Sequence, residues 1–397
     1  MSYQPDFTGW DELTLADLLV AYRKAKADVF FENTFPTAIK FAEYEQDWLA
    51  HLKKLLKRLQ SQQGFATDET LIGQFRLVPK KLAVERKKDA PSGHAHFSDA
   101  ERAFESLLAG HDLKPGFRIV GDFPVDTHVI SALWINKVGH KLDACLDETA
   151  YGSRLRRVRT EELAGEKKQR PFHITAVGSF EPYYQPYQRW RSDGLNAIRR
   201  ELENERDVIA VSLDLRSFYH QIDPAFLGKR AFLERIGLVN DKALNEPELA
   251  LNREMARFLS RWAAGAEQFA KKVRKSGAKV SGGLTIGLTA SRIVSNVLLW
   301  RWDCLVQQRL TPVHYGRYVD DMFLVLRDPG NISGMADLMR FLQKRFGKRR
   351  LAKDGKKGSG LWKISLGKRR NQPDCRYGVS SPRRQVHRQP RLPAIDR

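Results

Sequence analysis

The sequence predicts a mixed α+β fold. Two runs rich in strand-forming residues, at 207–215 and 314–326, are separated by long segments with apolar residues at helical spacing. Strands that come together across such helices fit an α+β arrangement rather than a doubly wound parallel sheet. The 397 residues, 42% of them hydrophobic and 10% aromatic, suffice for a packed core in two or three subdomains.

Composition restricts the class of protein and of partner. The formal net charge is +21, but residues 344–397 hold 18 Lys and Arg against three Asp, so the rest of the chain carries only +6. A nucleic-acid partner is therefore indicated by this tail and by local patches. No apolar run reaches membrane-spanning length and no signal peptide opens the chain, so we expect a cytoplasmic protein without membrane contact.

Residues 1–110 are predicted to form a helical N-terminal extension. An amphipathic helix is expected over 11–31, where Thr14 and Asp17 have the spacing of a capping box. A second helical pattern covers 38–59. Residues 87–97 have the composition of an exposed loop.

Between 111 and 206 the sequence predicts a strand at 117–120, a helix at 126–146 and a glycine-containing turn that carries Arg154. The segment 180–191 interleaves aromatic residues with Arg, which suits stacking on the bases of a single strand. The same pattern suits a proline-punctuated segment that packs its rings into the core, which we favour. Ser192 is then expected to cap a helix that ends near 205.

The later part of the chain alternates helices with strands. Helices are predicted at 223–237, 252–269, 288–306 and 335–346, and a strand at 361–366. From 368 onward the composition turns to Arg, Pro, Gln and Ser, with few apolar residues.

Three aspartates stand at the ends of predicted strands. The strand 207–215 carries Asp214 near its end, and the 314–326 hairpin carries Asp320 and Asp321 at its tip. Adjacent like charges repel, so a fold tolerates them mainly where a cation lies against them. Three carboxylates from two neighbouring strands are the oxygen ligands that two Mg²⁺ ions need for phosphoryl transfer.

These residues resemble the motifs of reverse transcriptases, in the order in which that family has them. Tyr318–Asp321 is similar to the Y-x-D-D box, and Asp214 followed by Phe218 and Tyr219 is similar to the first catalytic motif. Residues 282–291, where Gly287 precedes Ser291 by four positions, resemble the motif between them. Residues 21–32 resemble the N-terminal region of bacterial defence-associated, abortive-infection members.

The resemblance implies an RNA-directed DNA polymerase with a right-hand fingers–palm fold, acting in anti-phage defence. Residues 111–206 would be the fingers region and 207–367 the palm with the catalytic motifs. The expected cofactor is Mg²⁺, with Mn²⁺ as an alternative. The family's helical thumb has no counterpart in the basic tail 368–397, so the thumb is expected to be absent or incomplete, or supplied by a protein partner or a second copy.

The resemblance also implies roles for single residues. The catalytic acids are Asp214, Asp320 and Asp321, and these three with Leu215 are the expected metal site. The Tyr219 ring would crowd a ribose 2′-hydroxyl and so favour deoxynucleotides. The other expected nucleotide-binding residues are Phe218, Gly287, Arg154 and Arg118, and the expected template or primer contacts are Ser291 and Tyr318. Ser291 could instead cap the helix that follows it, and Arg154 could belong to a solvated basic turn.

The expected partners are an RNA template or noncoding RNA, the DNA product and dNTPs. Two alternatives stay open at this point. One is a retron or group II intron-type reverse transcriptase, which shares the catalytic motifs. The other is a non-catalytic palm that serves as a nucleic-acid-binding module, for which the missing thumb is the main support.

Overall fold

The computed structural model describes residues 5–30, 37–86, 99–158, 171–274, 282–354, 361–366, 376–379 and 384–385. In these residues helices and strands are mixed in the α+β manner that the sequence predicts. A cluster of buried apolar side chains extends from Phe7 to Leu366, so the N-terminal helices and the central sheet share one core. The domain boundaries expected from the sequence stay predictions.

Helices make up most of the regular structure. A single π-helical turn, Ile135–Gly139, joins α5 to α6. None of the described helices combines the length and the apolarity that crossing a bilayer requires. The α-helices of the described residues are α1 Leu15–Phe30, α2 Thr37–Glu45, α3 Trp48–Gln62, α4 Ala100–Gly110, α5 Val125–Trp134, α6 His140–Asp143, α7 Tyr184–Glu203, α8 Arg230–Arg235, α9 Glu246–Arg274, α10 Thr289–Leu298, α11 Trp300–Leu310 and α12 Met335–Phe346.

The strands form two antiparallel sheets. The first pairs β1 with β2, and the second has the order β4-β5-β3-β8-β7-β6, with β9 also paired to β3. Strand β3 therefore lies between β5 of the β4–β5 hairpin on one side and β8 and β9 on the other. The strands are β1 Gln74–Arg86, β2 His111–Asp122, β3 Val208–Arg216, β4 His314–Tyr318, β5 Asp321–Arg327, β6 Leu351–Lys353, β7 Trp362–Ser365, β8 Arg376–Val379 and β9 Arg384–Gln385.

Elements with strong local signals are where the sequence predicts them. The capping box at the start of α1 is present: the Asp17 carboxylate accepts hydrogen bonds from the Thr14 amide, at 3.0 Å, and from the Thr14 hydroxyl, at 2.7 Å. Strand β3, the β4–β5 hairpin, helix α12 and strand β7 are likewise confirmed.

Other elements differ from the prediction. The helix expected over 38–59 is two helices, α2 and α3, and that expected over 288–306 divides into α10 and α11 at Leu299. Strand β1 lies in the segment expected to be helical and pairs along its length with β2. Two strands, β8 and β9, occur in the tail and pair with β3, and neither was predicted from the sequence. The predicted loop at 87–97 lies outside the described residues.

Helix α7 corrects the interpretation of 180–191. It begins at Tyr184, so Ser192 lies inside it and donates a hydrogen bond to the carbonyl oxygen of Arg189 instead of capping a helix. The aromatic residues are not all packed into the core either. Trp190 is buried, but the exposed fractions of Tyr183 and Tyr184 are 76% and 60%.

Candidate functional site

The three aspartates named from the sequence meet at one end of the central sheet. In the β3–β5 pairing, Asp214 lies directly opposite Asp321. Asp320 is in the turn between β4 and β5, and its carbonyl oxygen accepts a hydrogen bond from the amide of Leu215 at 3.3 Å. Residues directly opposite in an antiparallel pair have Cα atoms roughly 5 Å apart. The antiparallel register therefore brings acids more than a hundred residues apart in sequence into one cluster.

The turn that carries Asp320 has an uncommon backbone. Tyr318 pairs with Asp321, so the turn has two residues, Val319 and Asp320. Val319 has φ +58°, in the left-handed region that a β-branched residue rarely adopts. Such a conformation costs about 1–2 kcal/mol and persists only where the surrounding contacts hold it.

The acid cluster is short of positive charge. Burial raises the pKa of Asp320 to about 7, and the neighbouring charges of Asp321 and Asp214 add to the effect. Burial and the charge of Asp214 also raise the pKa of Asp321. Lys80 on β1 acts in the opposite direction on Asp320. Hard oxygen donors that repel one another suit Mg²⁺ or Mn²⁺, so the donor set fits the expected ion.

The side chains are not already arranged as a closed metal cage. Among the described residues, no three His, Cys, Asp or Glu side chains come together in metal-binding geometry. The register fixes the backbone positions of Asp214, Asp320 and Asp321, and sharing an ion requires rotamers that bring their carboxylates closer. Leu215, the fourth expected member, is 1% exposed, so only its backbone is available for such a site.

A buried ionic network lies beneath the turn. Arg317 is fully buried, and its Nε and Nη2 bind the Asp303 carboxylate with donor–acceptor distances from 2.7 to 3.0 Å. Its Nη1 donates to Asn296 Oδ1 and to the carbonyl oxygen of Val319, both at 2.8 Å. Burial alone lowers the pKa of Arg317, but Asp303 outweighs burial and the net pKa is raised. The Arg317 guanidinium therefore stabilises the strained backbone of Val319 in the turn.

The same network attaches the loop before Arg154 to the hairpin. The Asn296 amide donates to the carbonyl oxygen of Gly152 at 2.7 Å, and the Tyr151 amide donates to that of Arg317 at 2.8 Å. A Cβ added to Gly152 would lie 2.9 Å from the Val319 nitrogen, so this approach requires glycine. Our sequence analysis did not identify Arg317, Asn296 and Asp303. The one sequence feature that could have identified these three residues is their polar character within otherwise apolar strand and helix patterns.

Arg154 lies in an internal hydrogen-bonding pocket. Its Nε donates to Asp143 Oδ1 at 3.0 Å. Its two terminal nitrogens donate to the carbonyl oxygens of Asp147, Ala150, Asp143 and Leu146. All five N–H groups of the guanidinium thus have protein acceptors. A contact with a nucleotide triphosphate, as expected from the sequence, would require some of these bonds to break.

Tyr219 and Phe218 form a supported pair next to Asp214. The Tyr219 hydroxyl accepts a hydrogen bond from Ser295 at 3.0 Å, and burial raises its pKa. Phe218 is 2% exposed and packs edge-on against Tyr219, with ring centroids 5.9 Å apart. Phe218 therefore supports the Tyr219 ring from the core and does not itself face solvent.

The remaining expected nucleotide contacts, Arg118 and Gly287, lie on or against the β1–β2 sheet. Burial, together with the charges of Lys80 and Arg118, lowers the pKa of His220 to about 4. Gly287 has φ +100°, and a Cβ there would lie 2.7 Å from the carbonyl oxygen of Gly121 at the end of β2. Lys80 on β1 and Arg118 on β2 therefore place positive charge near His220. Our sequence analysis missed Lys80, because a single lysine in a strand carries no distinctive signal.

Ser291 is not the cap of helix α10. The helix begins at Thr289, and the hydroxyl of Ser131 accepts a hydrogen bond from the Ala290 amide at 2.8 Å. Ser291 lies in the first turn, 1% exposed, so the capping alternative is wrong. Its burial also keeps its hydroxyl from the surface that a template strand would touch.

Tyr318 borders the acid cluster on the side of α7. Its hydroxyl donates to the carbonyl oxygen of Tyr183 at 3.1 Å. Its ring is perpendicular to that of Tyr187, with centroids 5.4 Å apart, and 6.0 Å from that of Trp190. The expected template or primer residue is thus one edge of an aromatic cluster.

No family of proteins and no curated protein matches this chain.

Proposed function

We propose that this chain is an RNA-directed DNA polymerase, a reverse transcriptase that adds deoxynucleotides to a DNA 3′ end. The observation that carries the proposal is the pairing of Asp214 with Asp321, with Asp320 in the adjoining turn. Carboxylates gathered at the end of a sheet are the ligands that two-metal phosphoryl transfer uses. On this proposal the β3–β5 sheet is the palm and residues 111–206 are the fingers of a right-hand polymerase.

The metal ligands would be Asp214, Asp320 and Asp321, with the Leu215 backbone beside them. Bound Mg²⁺ or Mn²⁺ would lower the pKa of the attacking 3′-hydroxyl and neutralise charge on the phosphates. The raised pKa of Asp320 supports this assignment, because a bound cation would offset both the burial of its charge and the repulsion from Asp321 and Asp214. The network of Arg317 would keep the turn in position for this role.

Sugar selection would depend on Tyr219. Its hydroxyl is tied to Ser295 and its ring rests on Phe218, so the ring has little freedom to move aside. A fixed ring next to Asp214 would exclude a ribose 2′-hydroxyl by sterics. Arg118 and Lys80, whose charges act on neighbouring His220, would bind the triphosphate. Arg154 would hold the loop that follows α6, through its hydrogen bonds to residues 143–150.

The decisive experiment is extension of a DNA primer on an RNA template with dNTPs and Mg²⁺. We expect extension by the native chain and none by the double variant Asp320→Ala, Asp321→Ala. Asp207→Ala is the matched control, because Asp207 is an exposed aspartate just before the other end of β3. Extension that survives the double change would refute the assignment of the acids.

A non-catalytic nucleic-acid-binding module is the second candidate. Its support is the basic composition of residues 344–397, which would supply affinity for nucleic acid. On this candidate the native chain and the double variant bind RNA equally well, and neither incorporates a nucleotide on any template. Incorporation by the native chain alone would exclude it.

We also propose that the enzyme acts in bacterial defence against phage. The support is the likeness of residues 21–32 to the defence-associated members. Bacteria that express the native chain should form fewer phage plaques than bacteria that express the Asp320→Ala, Asp321→Ala variant. Equal plaque counts over a panel of phages would contradict the defence role and leave the polymerase proposal intact.

A further inference from the structure

An exposed aromatic stripe runs along α7 next to the acid cluster. Tyr184 and Tyr187 are 60% and 38% exposed, and Tyr183, just before the helix, is 76% exposed. Arg191 and Leu195 follow at helical spacing, i+7 and i+11 from Tyr184, so they share its face. Leu195 is 44% exposed. This aromatic stripe is defined here as Tyr183, Tyr184, Tyr187, Arg191 and Leu195.

The aromatic stripe is a concentration of exposed apolar area. Four of the twelve large hydrophobic residues that are exposed in the described part of the chain belong to it. Large exposed apolar clusters on a soluble surface usually mark a binding site. Three of the four are tyrosines, whose flat faces and polar hydroxyl groups suit a partner that is itself flat and partly polar.

The position of the stripe indicates which partner it binds. The Tyr187 ring lies 5.4 Å from that of Tyr318, and Tyr318 pairs with Asp321 across the β4–β5 turn. Beneath, Trp190 is 8% exposed and fills the space between Tyr318 and Phe323, so the surface tyrosines stand on a packed base. An occupant of the stripe would therefore reach the acids directly.

We infer that the aromatic stripe binds the nucleic-acid strand that ends at the acid cluster, by stacking its bases on Tyr184 and Tyr187. This inference rests on the proposed function for the identity of the strand. From Tyr184 to Arg191 the helix rises about 10 Å, which accommodates roughly three stacked bases. Arg191 would contact their phosphates. Every base has an aromatic face, so such binding is independent of sequence.

The experiment measures binding of the full chain to a short strand with 2-aminopurine near its 3′ end. Fluorescence anisotropy gives affinity, and a fall in 2-aminopurine emission reports stacking. Tyr184→Ala with Tyr187→Ala should weaken binding about fivefold or more, and the emission change should disappear. Tyr184→Phe with Tyr187→Phe should retain both signals, because the rings remain. DNA and RNA strands are compared to show which one is the ligand.

Two controls separate stacking from other causes. Tyr184→Leu with Tyr187→Leu keeps apolar area without a ring, and we expect it to behave like the alanine pair. If the leucine pair instead behaves like the phenylalanine pair, the rings do not bind the strand by stacking and the inference is overturned. Phe104→Ala removes an aromatic side chain that is 51% exposed on α4, and it should leave binding unchanged.

Failure of the two proposals would look different. If the native chain extends no primer but loses strand binding only when the rings are removed, the polymerase proposal fails and the stripe stands. If the native chain extends primers while the alanine pair binds and quenches like the native chain, the stripe inference fails. Tyr184→Ala alone should leave the melting temperature unchanged, because that side chain is 60% exposed, and it should still weaken strand binding.

Discussion

Two charge clusters near the β4–β5 turn differ in the signs of their charges. Arg317 and Asp303 are both buried and of opposite sign, and each charged atom of the Arg317 fork has an acceptor. In the other cluster Asp320 and Asp321 are partly buried and Asp214 is exposed, and burial followed by the charges of the neighbouring acids raises the pKa of Asp320. Like charges gathered at one point are expected where a cation completes the arrangement. The difference separates a structural cluster from a candidate functional one.

The largest effect is expected from breaking the paired cluster. Arg317→Met should lower the free energy of unfolding by about 3–5 kcal/mol, because Asp303 would be left buried without its counter-charge. Chemical denaturation measures the loss. Arg340→Met is the control, since Arg340 is 70% exposed and its pair with Asp337 should contribute less than about 1 kcal/mol. Adding Asp303→Leu to Arg317→Met should restore part of the stability, and no restoration would contradict the charge-pair explanation.

The next effect tests the internal role of Arg154. Arg154→Lys should cost about 2–3 kcal/mol, because a lysine cannot satisfy the carbonyl groups that the guanidinium now binds. Arg102→Lys, at a residue 86% exposed, should be close to neutral. A variant with native stability but a raised KM for dNTPs would show that Arg154 binds the triphosphate.

Removing one charge from the acid cluster should stabilise the protein. Asp320→Asn should add about 1–2 kcal/mol at pH 8 in the presence of a chelator, because the Asp320 carboxylate is partly buried and lies near two other acids, whereas asparagine is neutral. The folded pKa of Asp320, about 7, exceeds that of an unfolded aspartate. The folded state therefore binds more protons, and stability falls as pH rises from about 4 to 7.

The difference between Asp320→Asn and the native chain should accordingly grow across that pH range and vanish below it. Denaturation at pH 4, 6 and 8 measures it. Asp207→Asn supplies the control, because Asp207 is exposed and distant from the other acids along β3. A constant difference at all three pH values would contradict the raised pKa of Asp320.

The smallest effect concerns the strained turn. Val319→Asn should stabilise the protein by about 1 kcal/mol, because asparagine accepts a left-handed backbone more readily than a β-branched residue. Val239→Asn is the matched control at an exposed valine with φ −132°, where no gain is expected. A loss of stability in Val319→Asn would mean that the valine side chain contributes more by packing than the turn costs.

Local signals were sufficient for part of the fold. The Thr14–Asp17 capping box predicted the start of α1. Strand-forming residues on both sides of Asp320 and Asp321 predicted the hairpin. These features depend on contacts between residues close in sequence. Breaks inside long helical patterns, as between α2 and α3, were not predicted, because amphipathic periodicity continues across them.

The candidate site was predicted only as a set of acids. Asp214, Asp320 and Asp321 were identified from their positions at strand ends, and the β3–β5 register brings them together. The supports of the site were not identified. Arg317 binds Asp303 and Asn296 from two helices, and these contacts depend on how the helices pack against the hairpin. Arg154 binds acceptors between 4 and 11 residues before it, in contacts that no periodicity of the sequence indicates.

The sequence by itself determined the strand–turn–strand pattern with its adjacent acids and the capping box of α1, since both depend on neighbours along the chain. Only the tertiary structure decided which charges are paired, which tyrosines stay exposed and that β8 and β9 add to the central sheet. The physical reason is that pairing and burial depend on partners far away in sequence. The free-energy cost of burying a charge depends on the packed surroundings of that charge, which the sequence alone does not specify.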